Sequence, residues 1–464
     1  MRRRTQSGKA NNYRDILAET VAQKPADDSV LSVSSELSAS DGSSLRRNFS
    51  WTLIGNVVYA GCQWAMLVAI AKLGSPEMLG TFVLGLALTA PVVILANLQL
   101  RGVQATDAKR EYQFGTYWTL RLVTSSMAMM AIVVVTIASG CRGEQAAVVL
   151  VIGAAKVVES ISDVVYGLLQ QQERMDRIAI SLMVKGPLSL LALGLCVSLT
   201  HSILWGALGL VMAWALSLAC CDIPFGMSAL RATMPPGKQT RSWLTLLRPQ
   251  MDAGTLVRLA RLALPLGVVM VLGSLIVNVP RYFVEAYQGS YELGMFAALA
   301  SVNVAGTTVV SALGLSAQPR LARYYASGSA RFLRLVIKLV AIGALVGCFG
   351  VLVAAVAGRG LLTVMFRPEY ADNVSSFVWI MIAGGIGCIA SFLGYGVTAT
   401  RAFRRFVAPR VVTVLVTVAF SILLIPRHGV TGAAWVLCVA NSVNCVGLVF
   451  ILACVRRESR GTSA

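Results

Sequence analysis

The sequence predicts an all-α polytopic membrane protein of about twelve transmembrane helices in two six-helix bundles, and three observations predict it. Of 464 residues, 56% are hydrophobic and only 13% charged, about half the charged share of soluble domains, and mean hydropathy is +0.71. Apolar runs of about 20 residues recur along nearly the whole chain, each long enough to cross a hydrocarbon core of roughly 30 Å as a helix. One phrase is also written twice: GSPEMLGTF at Gly74–Phe82 returns as GSYELGMF at Gly289–Phe296. Leu79-Gly80-x-Phe82 is answered by Leu293-Gly294-x-Phe296, 214 residues later (293 minus 79), a spacing too long for a solenoid repeat.

Taken in order, residues 1–45 are polar and serine-rich. They hold too little apolar surface to offset ordering entropy, which predicts a disordered tail. MRRR is not followed by an apolar run, so a signal peptide is not expected. NNYRDILAETVAQ has the pattern of a short amphipathic surface helix, although a plain tail segment is the preferred reading. The first bundle, 46–223, holds spans at 49–71, 80–100, 117–139, 146–169, 178–199 and 203–223. A connector at 224–258 carries MPPGKQTRSW. The second bundle, 259–456, holds spans at 259–283, 293–315, 333–357, 374–397, 410–425 and 432–455, and 457–464 form a short tail.

The net charge of +19 does not point to nucleic acid, because the cations form no stripe interleaved with aromatics. They sit in alternate connectors: Arg101, Lys109 and Arg110; Arg174 and Arg177; Arg231, Lys238, Arg241 and Arg248; Arg320, Arg323, Arg331 and Arg334; Arg401, Arg404 and Arg405. Short basic loops stay on the cytoplasmic side, so both termini are expected there. Each twin phrase then begins at an outward-facing connector and enters the second helix of its own half. The halves point the same way, as in transporters built from parallel repeats, whose substrate sits at the repeat interface.

Most of the ten cysteines, among them Cys62, Cys348, Cys388, Cys438 and Cys445, fall in apolar runs and act as small hydrophobes. Cys141 and Cys196 approach the same outer face, with free thiols preferred over a disulfide. With no CxxC spacing and only His201 and His428 as histidines, neither metal nor cofactor is expected. PPGKQT lacks the first glycine of a phosphate-binding loop, so an ion gradient or the cargo's own gradient is the expected driving force.

LGSPEMLGTFVLGLALTAPVVILANLQLR, AKVVESISDVVYGLLQ and NVPRYFVEAYQGSYELGMFAALA resemble matching segments of the Wzx-type polysaccharide and oligosaccharide flippases. These belong to the multidrug/oligosaccharidyl-lipid/polysaccharide exporter superfamily, and the resemblance covers residues 45–457. It implies two six-helix bundles forming a V around a central cavity. It also implies transfer of an undecaprenyl-diphosphate-linked oligosaccharide across the bacterial inner membrane, with that lipid-linked sugar, membrane lipids and other polysaccharide-assembly membrane proteins as partners. The long serine-rich tail departs from the compact start such proteins have.

Charges inside spans carry the site expectations, because each costs roughly 2.5–3.5 kcal/mol at mid-bilayer. Lys156, Glu159 and Asp163 lie at i, i+3 and i+7 of the fourth span, on one side of a helix. The functional reading gives Glu159 and Asp163 to ion coupling and Lys156 to an anionic substrate. The bland reading is a Lys156–Glu159 pair that neutralises itself. Arg101, Arg121 and Lys185, near the inner ends of their spans, either snorkel to the interface or together bind a diphosphate. Asn278 and Arg281 offer a second polar point beside Pro280, where the helix is free to bend. Asn56, Gln63, Asn97, Asn303, Asn441 and Asn444 suit sugar hydroxyls or, more often, helix-to-helix bonds. A multidrug antiporter would share the plan but have an apolar, acidic cavity. A membrane glycosyltransferase or polymerase would carry acidic outer loops that this chain lacks, so no catalytic residue is assigned.

Overall fold

The computed structural model describes residues 28–107, 111–232, 252–327, 331–400 and 403–461. It divides into a unit at Met1–Thr52 and a unit at Leu53–Ala464. Among the described residues there is no strand. The helices are α1 (Asp28–Leu73), α2 (Pro76–Asn97), α3 (Leu100–Thr106), α4 (Phe114–Ala138), α5 (Gly143–Gln171), α6 (Met175–Thr200), α7 (Ile203–Ser217) and α8 (Ile223–Ala232). The second half has α9 (Ala253–Ser301), α10 (Asn303–Ala326), α11 (Arg331–Met365), α12 (Val374–Ala399) and α13 (Val407–Gly461).

Nine helical stretches among the described residues are long and apolar enough to cross a membrane. Two of them are each a pair of helices. α9 breaks at Gly289, with φ 83° and ψ 178°, a region essentially closed to residues with a Cβ; α13 breaks at Gly429, with φ 52° and ψ −130°. Counting both limbs gives eleven stretches, and α5, which carries the three expected charges, is not among them, so the described helices are compatible with the twelve expected spans without matching them one for one. The protein is thus a multi-pass membrane protein built only of helices in its described parts.

The expected boundaries move where helix propagates beyond apolar sequence. Residues 28–45, expected as disordered, belong to the continuous helix α1. They contain no proline, and extending an existing helix is far cheaper than nucleating one. The expected tail at 1–27 lies outside the described residues. The connector expected at 224–258 narrows from both sides, since α8 runs to Ala232 and α9 starts at Ala253; its part at 233–251, with Lys238, Arg241 and Arg248, lies outside the described residues. Asp252 caps α9 by accepting from the Gly254 N–H at 3.1 Å, and a hydrogen bond from Thr255 holds its carboxyl below the usual range. All ten cysteines are free, Cys141 and Cys196 included.

The twin phrases meet. Ser75 caps α2, accepting from the Met78 N–H at 3.4 Å with Pro76 in the first turn, and Gly289 starts the second limb of α9. A Cβ on Gly80 would lie 1.8 Å from the Ser290 carbonyl oxygen, and one on Gly294 would lie 1.9 Å from that of Pro76. Each glycine thus meets the residue four before its twin, the reciprocal contact of a pseudo-two-fold axis. Leu79, Phe82, Leu293 and Phe296 are buried around it, in an apolar cluster that draws on both halves. Lipid is as apolar as leucine, so helices in a bilayer associate through close packing, and this end of the molecule is held shut by backbone contact.

Candidate functional site

Away from the twin glycines, α2 and the first limb of α9 line a cavity of about 810 Å³. Leu86, Ala90 and Ile94 supply one wall at a four-residue period. Leu266, Met270, Gly273, Val277 and Arg281 supply another at helical spacing, ascending toward the shut end. Gln99 and Gly102 in the first half, with Thr398, Phe406 and Arg410 in the second, line the opposite end. There α2 stops at two successive left-handed residues, Leu98 and Gln99, with φ of 50° and 51°. Neither is glycine, so the turn into α3 is strained, and it re-aims the chain just before Arg101.

Of the residues expected from sequence, Lys156, Asn278 and Arg281 line this cavity. Arg281 donates to the Asn278 Oδ1 at 3.0 Å, and the Asn278 amide donates to the Ser274 carbonyl at 3.0 Å. Lys156 donates to Glu159 at 2.8 Å and lies 5.1 Å from the Trp214 ring centroid. The self-neutralising pair therefore forms, and Lys156 also reaches the cavity. Glu159 accepts from the Tyr59 hydroxyl at 2.9 Å as well. Asp163 lies between Arg101 at 3.4 Å and Arg121 at 3.5 Å.

Arg121 and Lys185 do not reach the cavity. Arg121 is fully buried, donating to Asn97 and paired with Asp163. Lys185, 1% exposed, is held by Ser162 at 2.9 Å, Tyr166 at 3.1 Å and Asp222 at 3.3 Å. Instead of the expected vestibule of Arg101, Arg121 and Lys185, the described residues form a largely buried polar seam inside the first half. A lone charge between packed helices costs several kcal/mol unless paired and hydrogen-bonded, and α5 supplies the partners along one face. Arg101 stays partly exposed, donating to Gln170 at 3.1 Å and stacking 5.5 Å from the Tyr166 centroid. Asn303 and Asn441 donate to the Ile380 and Ala383 carbonyls at 3.2 and 2.8 Å, the helix-to-helix use.

Three residues escaped sequence reasoning. Asp222 ends the π-helical turn Leu218–Asp222, at the edge of an apolar run where its partner is 37 residues away. Tyr59 is one of several aromatics in its span. Arg410 begins the eleventh run, and its signal was its position at a helix end next to a basic connector. Among the described residues, no carboxylate lies within 4.0 Å of Arg281 or Arg410, whereas Lys156, Arg101, Arg121 and Lys185 all have one. No group of three potential metal ligands occurs among the described residues.

No family model matches the chain. The chain is 26% identical over 410 residues to the capsular polysaccharide biosynthesis protein CapF of Staphylococcus aureus, covering 87% of this chain and 98% of that one. Its fold is similar to that of an inward-facing multidrug resistance MATE family transporter of the MOP superfamily. The TM-score is 0.68 at 11% identity, over 89% of this chain and 100% of the other. It is similar also to the lipid II flippase MurJ in an inward closed conformation, with a TM-score of 0.62 at 11% identity and 87% of each chain covered. The twelve-helix chain thus has the fold of the multidrug/oligosaccharidyl-lipid/polysaccharide exporter transporters, and its resemblance to the polysaccharide branch is carried by similarity to a capsular polysaccharide protein along nearly its whole length.

Proposed function

We propose that the protein is a flippase that moves a lipid-linked oligosaccharide diphosphate across the bacterial inner membrane by alternating access, for surface polysaccharide assembly. The observation that carries this reading is the cavity's charge: Arg281 and Arg410 line it with no carboxylate partner among the described residues, facing Lys156 from the other half. A diphosphate cannot enter lipid unpaired, and guanidinium groups meet its oxygens through charge-assisted, often bidentate hydrogen bonds. The name of the Staphylococcus aureus relative supports a role in polysaccharide biosynthesis, and MurJ, a lipid II flippase, supports a lipid-linked cargo on this fold. A drug antiporter, by contrast, has no use for unpaired cations in its cavity. The basic connectors support an orientation with the twin-glycine end outside and the Arg410 end inside, in which the cavity opens to the cytoplasm.

The test is binding of a polyprenyl diphosphate to the purified protein in nanodiscs, read by native mass spectrometry, alongside complementation of surface polysaccharide in a deletion strain. Arg281→Ala is expected to weaken binding about tenfold, the value of a charge-assisted hydrogen bond, and to reduce export. Unchanged binding in Arg281→Ala and Arg410→Ala, or altered drug susceptibility with normal polysaccharide, overturns the proposal.

A further inference from the structure

Among the described residues, four cations lie over aromatic rings: Arg101, Lys156, Arg177 and Lys185. Of these, Lys156 alone lines the central cavity. Its ring is that of Trp214 in α7, only 1% exposed, with the Lys156 Nζ 5.1 Å from the ring centroid. The indole is itself fixed. Its N–H donates to the Ser189 hydroxyl of α6 at 2.8 Å. That hydroxyl spends its own proton on the Lys185 carbonyl one turn earlier, which leaves it an acceptor for the indole. Neither Ser189 nor Trp214 lines the cavity. Three helices thus converge on one ammonium: α6 sets the hydroxyl, α7 the ring and α5 the lysine.

Resting on the flippase reading above, we propose that Trp214, oriented by Ser189, is a positioning residue that holds the Lys156 ammonium ready for the diphosphate of the cargo. A lysine has a flexible four-carbon stem and loses rotamer freedom when it binds. Held between Glu159 at 2.8 Å and the ring face, the ammonium gives up that freedom before an anion arrives, which is preorganisation. The two holders differ in kind. Glu159 pins the lysine but also repels an incoming anion. The indole attracts the ammonium through its quadrupole and brings no net charge, so it fixes Lys156 without opposing the cargo. Trp214 touches no cargo itself and acts through Lys156. Its place in the apolar cluster of both halves gives it a packing role as well, and the experiment separates the two.

In nanodiscs without cargo, acylation of Lys156 by N-hydroxysuccinimidyl acetate is followed by peptide mass spectrometry. The reagent needs the neutral amine and a ring face favours the ammonium, so Trp214→Leu is expected to raise the rate about fivefold. Trp214→Phe, which keeps a ring face, returns it to within about twofold of the wild type. With polyprenyl diphosphate added, Trp214→Leu is expected to weaken binding about fivefold beside the native lysine and less than about twofold in Lys156→Ala, where a purely structural loss would persist. If Trp214→Leu misfolds, Trp214→Met, which fills much of the space with no π face, gives the same two readouts. An acylation rate unmoved by loss of the ring, a Trp214→Phe protein that behaves as Trp214→Leu does, or a binding loss that persists in Lys156→Ala overturns the proposal. A wild type that binds no diphosphate overturns the flippase reading instead, and the acylation rates then decide by themselves whether Trp214 holds Lys156.

Discussion

A buried charge in this protein is defined by its partner, and the same lysine chemistry serves two ends. Lys185 is buried against Asp222, with Ser162 and Tyr166 accepting its other hydrogen bonds. Removing one member of such a pair leaves the other uncompensated, at a cost of roughly 3–5 kcal/mol, whereas replacing both by apolar groups of similar size is often neutral. Asp222→Asn is therefore expected to lower the thermal unfolding midpoint in detergent by several degrees, and Lys185→Met with Asp222→Leu to restore most of it. A double variant no more stable than Asp222→Asn would contradict this. Lys156, by contrast, has one side open to the cavity, so Lys156→Ala is expected to weaken polyprenyl diphosphate binding with little change in unfolding temperature. The sequence showed that Lys156, Glu159 and Asp163 share a helix face, because that follows from 3.6 residues per turn. It did not show that Lys185 belongs to the seam and Arg410 to the cavity, because those depend on which neighbour each helix meets.

At the scale of elements, the twin glycines are the smallest feature with the largest reach. The Ser290 oxygen lies 1.8 Å from where a Gly80 Cβ would stand, so Gly80→Val cannot be absorbed by a rotamer change; α2 and the second limb of α9 must separate. Overpacking a tight contact costs typically 1–3 kcal/mol, here charged to the closed end alone. Gly80→Val and Gly294→Val are expected to yield folded protein that fails to complement polysaccharide export, with nitroxide labels at Leu73 and Val364, exposed residues at this end of each half, held apart in pulsed electron spin resonance. Gly306, whose added Cβ would meet only Val346 at 3.6 Å, is the control, and Gly306→Ala is expected to leave that separation unchanged. The repeat was plain in the sequence as a matched phrase. Its meaning was not, since three identical positions, Leu, Gly and Phe, point to a duplication but not to copies that press against each other.

For the whole molecule, the state of the cavity makes a sidedness prediction. If the basic connectors are cytoplasmic, a cysteine at Asn278 is labelled by a membrane-impermeant thiol reagent in inside-out vesicles and protected in right-side-out cells, because the twin-glycine contact blocks the outer route. Equal labelling from both sides would contradict an inward-open chamber. Two classes of inter-half contact hold that outer end: backbone packing of Gly80 on Gly294, and hydrogen bonds from Gln145 to Glu285 and from Tyr282 to the Ala87 carbonyl. Packing sets how closely the ends can approach, and polar bonds set how readily they part.

By itself the sequence determined the membrane-spanning class, the all-helical build, the matched phrases and the stripe on α5. Each of these follows from local quantities: the apolar length needed to cross a bilayer, the helical period, and the cost of charge in lipid. Only the tertiary structure decided that the matched phrases touch, that Arg121 and Lys185 pair with Asp163 and Asp222, and that Arg281 and Arg410 line the cavity with no carboxylate in reach among the described residues. Those outcomes turn on which helix faces meet across hundreds of residues, and in a bilayer that choice is made by close packing and by the pairing of buried charges, neither of which a single helix carries in its own pattern.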